Sequence, residues 1–311
     1  MTDRILGVYL SADHDLKAHY GAAFAAQGPD VAVLSPEEVT DPAQIRFAVC
    51  WIPAPGAFDA YPNLGMASVV GAGVDGLLGR PDLPDIPVCR VRDPAQGAQM
   101  AGYALHEILH VARGFGRMAA AQARAEWAPE PAPPAPRVAV LGNGSMGAAI
   151  VRSAATLGLP LTVAARSRPV DPVPGVRYVT GPLSAAVAGA DFVVNVLPLT
   201  PETRGVLNRD LFARMAKGGW LIQIGRGEHL VEADLTGALD SGQLAGATLD
   251  VFAREPLPPG HPFWHDPRLR LTPHVASSSA ADTTAEQIAM SARQLRDGQP
   301  LSLAIDRARG Y

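Results

Sequence analysis

The chain has 311 residues, 48% hydrophobic and 18% charged, with a formal net charge of −4, a globular composition long enough for two domains. That charge gives no support for nucleic acid or an anionic membrane surface as a partner. Cys50 and Cys89 are the only cysteines, too few for a disulfide framework and suited to a reducing compartment.

The opening MTDRILGVYL, charged at Asp3, reads as a first strand and not as a signal peptide. No charge-free apolar run of about 18 residues exists to span a membrane, so a cytoplasmic location is expected. Apolar runs predict strands at Ile5–Leu10, Val31–Leu34, Phe47–Trp51 and Ser68–Val70, with a helix over Asp15–Ala26. Helical spacing of Met100, Leu105, Ile108, Leu109 and Ala112 then predicts one long helix from about Ala98 to Ala125. The proline-rich segment WAPEPAPPAPR (127–137) ends it.

A cleaner alternation follows, with strands expected at Arg137–Leu141, Leu161–Ala165, Phe192–Leu197, Trp220–Ile224, Ala247–Val251 and Leu269–Leu271. Helices are expected between most of them, including Ala148–Leu157 capped by Gly158, and a last helix, Ala281–Arg296, should return to the first domain. Alternation of this kind implies α/β architecture with parallel sheets. The expected fold is two Rossmann/flavodoxin-like domains. Residues 98–282 form a dinucleotide-binding domain inserted into a substrate domain made of 1–97 and 283–311.

VAVLGNGSMGAAIV (138–151) sets G-x-G-x-x-G, at Gly142, Gly144 and Gly147, between a strand and a helix. Gly142 permits the tight turn, Gly144 lets backbone approach a pyrophosphate, Gly147 allows close strand–helix packing, and the helix N-terminus offers N–H donors to the anion. The next strand, LTVAARSRP (161–169), lacks the acid that holds an NAD ribose and carries Arg166, Ser167 and Arg168 instead. Two guanidiniums and a hydroxyl suit a 2′-phosphate, which favours NADPH over NADH; the alternative is a solvated basic loop.

Three later segments, IGRGEHL (224–230), TLDVFAREPLP (248–258) and LTPHVASSS (271–279), complete a pattern with GNGSMG. It resembles the D-isomer-specific 2-hydroxyacid dehydrogenase family, and within it most the glyoxylate/hydroxypyruvate reductase A type. The family resemblance runs from GAGVD (71–75) to the terminal DRARGY (306–311), and the ARSRP loop, NVLPLTPET (195–203), DVFAREPLP (250–258) and DRARGY carry the closer match. The resemblance implies reduction of a small 2-keto acid by a homodimer, and no metal is expected. It assigns Arg226 to the substrate carboxylate and His274 with Glu255 to the acid–base pair. A guanidinium fork suits a carboxylate, an imidazolium can protonate the alkoxide left by hydride transfer, and a carboxylate beside it favours the charged ring. All three should meet at the carboxyl ends of a parallel sheet.

The resemblance also implies cofactor contacts from Ser145, Met146, Leu197, Pro198, Thr203, Ile224, Gly225 and Ser277, with Asp250 accepting from the carboxamide. Backbone N–H groups of Ala72, Gly73 and Val74 should meet the substrate carboxylate. Trp51 is either a substrate contact or core. The chain departs from the family pattern at Gln223 and Ile224, where Asn is common, and at Gly102, where Glu is common.

Two rival readings remain. His106-Glu107-Ile108-Leu109-His110 matches the H-E-x-x-H zinc signature, but Arg113 and Gly116 stand where the extended motif needs Gly and His. Folds of this kind also serve nucleotide-sensing corepressors and scaffolds, which can retain such residues. The alternative within enzymes is reduction of a different 2-keto acid with NADPH.

Overall fold

The structure, a computed structural model, describes residues 4–307. Asp3 and the final ARGY of the DRARGY motif lie outside the described residues. In chain order the elements are β1 (Ile5–Ser11), α1 (Leu16–Ala25), β2 (Val31–Leu34), β3 (Ile45–Trp51), β4 (Met66–Val69), β5 (Val88–Cys89), α2 (Pro94–Ala112), α3 (Phe115–Ala123), β6 (Val138–Leu141), α4 (Ser145–Thr156), β7 (Leu161–Ala164), β8 (Arg177–Val179), α5 (Leu183–Val187), β9 (Phe192–Asn195), α6 (Arg209–Phe212), β10 (Gly219–Gln223), α7 (Glu232–Asp240), β11 (Leu244–Leu249), β12 (Leu269–Leu271) and α8 (Ala281–Arg296).

These divide into two units, Met1–Pro94 with Ser278–Tyr311, and Ala95–Ser277, each boundary falling a few residues before the expected one. The first holds a parallel five-stranded sheet, β2-β1-β3-β4-β5. Its strands are apolar on both faces because both are covered. Ile5, Tyr9, Phe47 and Val49 pack on one side with Ala285, Ile288, Ala289 and Ala292 of α8. Val8, Leu10, Ala48 and Cys50 pack on the other with Phe58, Leu77 and Leu83. The last helix thus returns to the first domain, as its apolar face implies.

The second unit holds a parallel seven-stranded sheet, β12-β11-β10-β9-β6-β7-β8. From β6 the chain runs outward one way through β7 and β8, then returns to start β9 on the other side. That reversal between β6 and β9 is the switch point at which doubly wound sheets bind ligands. Ala139 and Leu141 face one core layer, Val138 and Val140 the other, the period-two pattern of a strand covered on both sides.

The single helix expected over 98–125 is two helices. Gly114 takes a left-handed φ of +67° and turns the chain between α2 and α3. Helix α4 begins at Ser145, earlier than expected, because the glycine loop itself forms its first turn. Its C-cap is Leu157, and Gly158 follows at a φ of +69° in the position after the cap. Several strands end sooner than expected. Gly142, Val196, Ile224, Asp250 and Thr272 each extend the ladder by one N–H bond to a neighbouring strand end and then leave the sheet.

Candidate active site

Because the seven strands are parallel, the loops after β6, β7, β9, β10, β11 and β12 emerge on one edge of the sheet. They carry Gly142, Arg166, Leu197, Arg226, Glu255 and His274 respectively.

In the first loop the glycines have separable duties. A Cβ on Gly147 would stand 2.0 Å from the Gly142 carbonyl oxygen, so α4 closes on its own loop only without a side chain there. Gly142 has a φ of +109° and abuts Val196 O. A Cβ on Gly144 would meet nothing within 4 Å. Its lack of a side chain therefore serves the space outside the chain and not internal packing. No side chain caps the α4 N-terminus, where Ser145 is exposed and Met146 half-buried. Arg166, Ser167 and Arg168 follow the adjacent β7 and are exposed. An open glycine cradle, an uncapped helix start and flanking guanidiniums fit a phosphorylated dinucleotide.

Arg226 is pinched between two glycines. A Cβ on Gly227 would overlap Phe252 C at 1.8 Å, and one on Gly225 would lie 2.9 Å from Asn195 Nδ2. The arginine loop is thus pressed against the end of β9 and the loop after β11. Arg226 Nη1 donates to Gly225 O at 2.8 Å, anchoring one edge of the guanidinium to its own chain. Ile224 and Gly225 are buried behind it.

His274 Nδ1 lies 2.8 Å from Glu255 Oε2, while Glu255 Oε1 accepts from the Phe252 N–H at 2.8 Å. Burial disfavours the Glu255 charge. The His274 and Phe252 hydrogen bonds and the charges of His274 and Arg226 outweigh it, holding the carboxyl below its ordinary value. Glu255 is therefore an acceptor, the ring presents Nδ1–H to it, and Nε2 is left for proton transfer. Both side chains are 34% exposed.

Asp250 has a task the sequence reading did not contain. Its carboxylate accepts from the Thr272 hydroxyl at 2.6 Å, Val275 N–H at 2.8 Å and Ala276 N–H at 2.9 Å, and its carbonyl accepts from His274 N–H at 2.8 Å. Since Thr272 donates to Asp250, the Tyr103 hydroxyl of α2, 2.6 Å away, donates to Thr272. These bonds hold His274 at a φ of +55°. Bonds to a charged acceptor stabilise by about 1.5–3 kcal/mol each, against roughly 1–2 kcal/mol for a left-handed residue, so the anchoring wins. One lone pair of Oδ2 remains for a further donor.

Beyond β9, Thr203 Oγ1 donates to Pro198 O at 2.8 Å and Leu197 N–H to Asn195 Oδ1 at 3.3 Å, closing the 197–203 turn on itself. Ser277 is the last residue of this unit and half-buried.

The first unit places Trp51 at the end of β3, half-buried, its ring edge-on to His14 at 6.3 Å between centroids. Ala72 and Gly73 lie half-exposed in the turn after β4, with Val74 buried. Among the described residues, the N–H groups of Ala72, Gly73 and Val74 donate to no other group.

The zinc-like motif on α2 is part of an ion-pair cluster. Glu107, 4% exposed, takes Arg270 Nε at 2.7 Å and the Thr248 hydroxyl at 2.8 Å. His110 Nε2 accepts from Arg270 Nη1 at 3.1 Å, and burial together with that guanidinium holds the ring's pKa below its ordinary value. Arg270 thus engages His110 Nε2, one of the two ring nitrogens the motif would offer a metal, while His106 Nε2 lies 3.4 Å from Glu107 Oε1.

Strand order and the glycine loop define a Rossmann-type dinucleotide-binding unit. Residues 105–276 match the family described as D-isomer specific 2-hydroxyacid dehydrogenase, NAD binding domain. A D-isomer specific 2-hydroxyacid dehydrogenase from Xanthobacter autotrophicus Py2, solved with NADPH and MES, is 37% identical with a TM-score of 0.89, over 99% of this chain and 100% of that one. An NADPH-dependent glyoxylate/hydroxypyruvate reductase from Sinorhizobium meliloti, solved with NADP and sulfate, is 33% identical with a TM-score of 0.89 over 100% of both. A probable 2-hydroxyacid dehydrogenase from Rhizobium etli CFN 42, solved with NADP, HEPES and L(+)-tartaric acid, is 30% identical with a TM-score of 0.87, over 99% and 100%. The chain belongs to the D-isomer-specific 2-hydroxyacid dehydrogenase family, whose members are NAD(P)-dependent oxidoreductases acting on small 2-hydroxy acids. Among the described residues no helix is long and apolar enough to cross a membrane.

Proposed function

We propose that the protein reduces a small 2-keto acid, glyoxylate or hydroxypyruvate, to the 2-hydroxy acid, with NADPH as the preferred cofactor. The observation that carries this is the His274–Glu255 pair, 2.8 Å apart on the sheet edge that also bears Arg226.

Arg226 grips the carboxylate through its planar fork, and its charge polarises the adjacent carbonyl. His274 gives the Nε2 proton to the carbonyl oxygen as negative charge develops there, while Glu255 keeps Nδ1 protonated and the ring oriented. Bound NADPH supplies the hydride. Gly142, Gly144, Ser145, Met146 and Gly147 hold the pyrophosphate, and Arg166, Ser167 and Arg168 the 2′-phosphate. Leu197, Pro198, Thr203, Ile224, Gly225 and Ser277 line the nicotinamide side, and Asp250 accepts from the carboxamide with its remaining lone pair. In the first unit, the N–H groups of Ala72, Gly73 and Val74 and the ring of Trp51 contact the keto acid. The preference for NADPH is supported by Arg166 and Arg168 standing where an NAD enzyme needs an acid, and by the NADP-bound relatives.

A panel of 2-keto acids assayed with NADPH and NADH tests the reading. Glyoxylate and hydroxypyruvate should give the highest kcat/KM, and NADPH should exceed NADH about tenfold or more. No turnover of any keto acid, with NADPH bound, would favour a nucleotide-sensing role for the fold instead. Trp51→Ala should relieve discrimination against bulkier keto acids.

A further inference from the structure

Three buried polar side chains behind Arg226 make one closed network. Asn195, Gln223 and His229 are each 0% exposed. Asn195 Nδ2 donates to Gln223 Oε1 at 2.7 Å and to His229 Nδ1 at 2.9 Å. Gln223 Oε1 also accepts from Gly225 N–H at 3.3 Å, and Gln223 Nε2 donates to the Arg226 carbonyl at 2.7 Å. The Arg226 N–H donates to His229 Nδ1 at 3.1 Å. Both the N–H and the C=O of Arg226 are thus held by buried side chains.

The network dictates one form of His229. A backbone N–H can only donate, so Nδ1 must be unprotonated, and the ring's proton sits on Nε2. That Nε2–H points at the Pro198 carbonyl, 3.2 Å away, which also accepts from Thr203 Oγ1. One imidazole therefore joins the loop after β10, which carries Arg226, to the turn after β9. The strength of such a network lies in its completeness, because each unmatched buried group is costly.

We infer that His229, as the neutral Nε2–H tautomer, is a positioning residue that sets Arg226 for the substrate carboxylate and ties it to the 197–203 turn. The inference rests on the reading of Arg226 as the carboxylate-binding residue. The guanidinium is anchored to Gly225 O, so a shift of the 225–226 backbone carries the fork with it. Small displacements of an orienting group cost rate and binding out of proportion to their size.

The two ring nitrogens can be replaced one at a time. In His229→Asn the Oδ1 stands in for Nδ1 and still accepts from Arg226. In His229→Gln the amide N–H stands in for Nε2 and still reaches Pro198, but the Arg226 N–H loses its acceptor. Steady-state kinetics with the keto acid and NADPH each varied should separate them. His229→Gln should raise the keto-acid KM about tenfold with the NADPH KM changed by less than about twofold. His229→Asn should keep the keto-acid KM within about threefold of wild type while the NADPH KM rises more than in His229→Gln. Arg226→Ala serves as the reference. If it leaves the keto-acid KM alone, the carboxylate assignment itself falls. If it raises that KM while both His229 variants leave it unchanged, or both shift the two KM values alike, the positioning role is wrong and His229 only fills the core. Should His229→Gln fail to fold by circular dichroism, Gln223→Met removes the hold on the Arg226 carbonyl at similar volume. It must show the same selective rise in keto-acid KM, and a wild-type KM would overturn the inference.

Discussion

Two alanine substitutions three residues apart in the glycine loop should fail in opposite ways. At Gly147 the new Cβ would stand 2.0 Å from Gly142 O, about 1.3 Å short of an ordinary carbon–oxygen approach of ~3.3 Å. The obstacle is backbone, so either α4 or the loop must move. Overpacking of this kind costs about 1–3 kcal/mol, which in a unit of this size lowers Tm by roughly 2–12 °C. At Gly144 nothing lies within 4 Å of the Cβ, and φ is −72°, which alanine adopts readily. Loss of a glycine N-cap and gain from a stiffer unfolded chain roughly offset, leaving stability within about 0.5 kcal/mol of wild type. The methyl group instead occupies the approach of the pyrophosphate, weakening NADPH by about tenfold or more. Thermal unfolding with and without NADPH, beside a fluorescence titration of NADPH, reads both effects. Unchanged NADPH affinity in Gly144→Ala, or an unchanged Tm in Gly147→Ala, would refute the division of labour.

The acid–base pair makes a second prediction: His274→Gln should lose most reduction while binding NADPH nearly as well as wild type, and near-normal turnover at saturating keto acid would sink the assignment. For cofactor choice, Arg166→Ala/Arg168→Ala should lose most of the NADPH preference in kcat/KM, and that preference in wild type should shrink with added salt because both side chains are exposed. A double variant as selective as wild type would show the two arginines to be a solvated loop. Glu107→Gln should destabilise the protein by about 1–3 kcal/mol in denaturant unfolding at pH 7, less than a fully buried pair because the Arg270 side chain is 38% exposed. Burial raises the Glu107 pKa, but the bonds from Arg270 and Thr248 outweigh it and leave the value lowered from 4.5. Its stabilisation is therefore complete above the ordinary carboxyl range and is lost as pH falls through the lower folded value, so the gap between variant and wild type should close in acid. A gap that widens in acid would contradict the ion-pair account.

Much of this architecture is legible in residue patterns. Runs such as FVVN and WLIQ, apolar on both strand faces, can only be buried on both sides, and that condition selects a parallel sheet covered by helices. G-x-G-x-x-G between a strand and a helix places the phosphate loop, and the absence of an acid after β7 stands in plain view. The same runs carried a signal that went unread: Asn195 and Gln223 are polar residues closing otherwise apolar strands, which marks them as partners of something in the loops beyond. Short elements were not legible, since β8 and α6 are too brief to show a period. Nor was the break at Gly114, because α2 and α3 share a helical pattern and only the left-handed backbone separates them. The tertiary structure alone decided the pairings. Glu107 meets Arg270 and Tyr103 meets Thr272 across more than half the chain, and His229, beyond the end of β10, finds Asn195 and Pro198 at the end of β9. Local periodicity reports which face a side chain takes, whereas a hydrogen-bond partner is set by which loops a parallel sheet brings to the same edge.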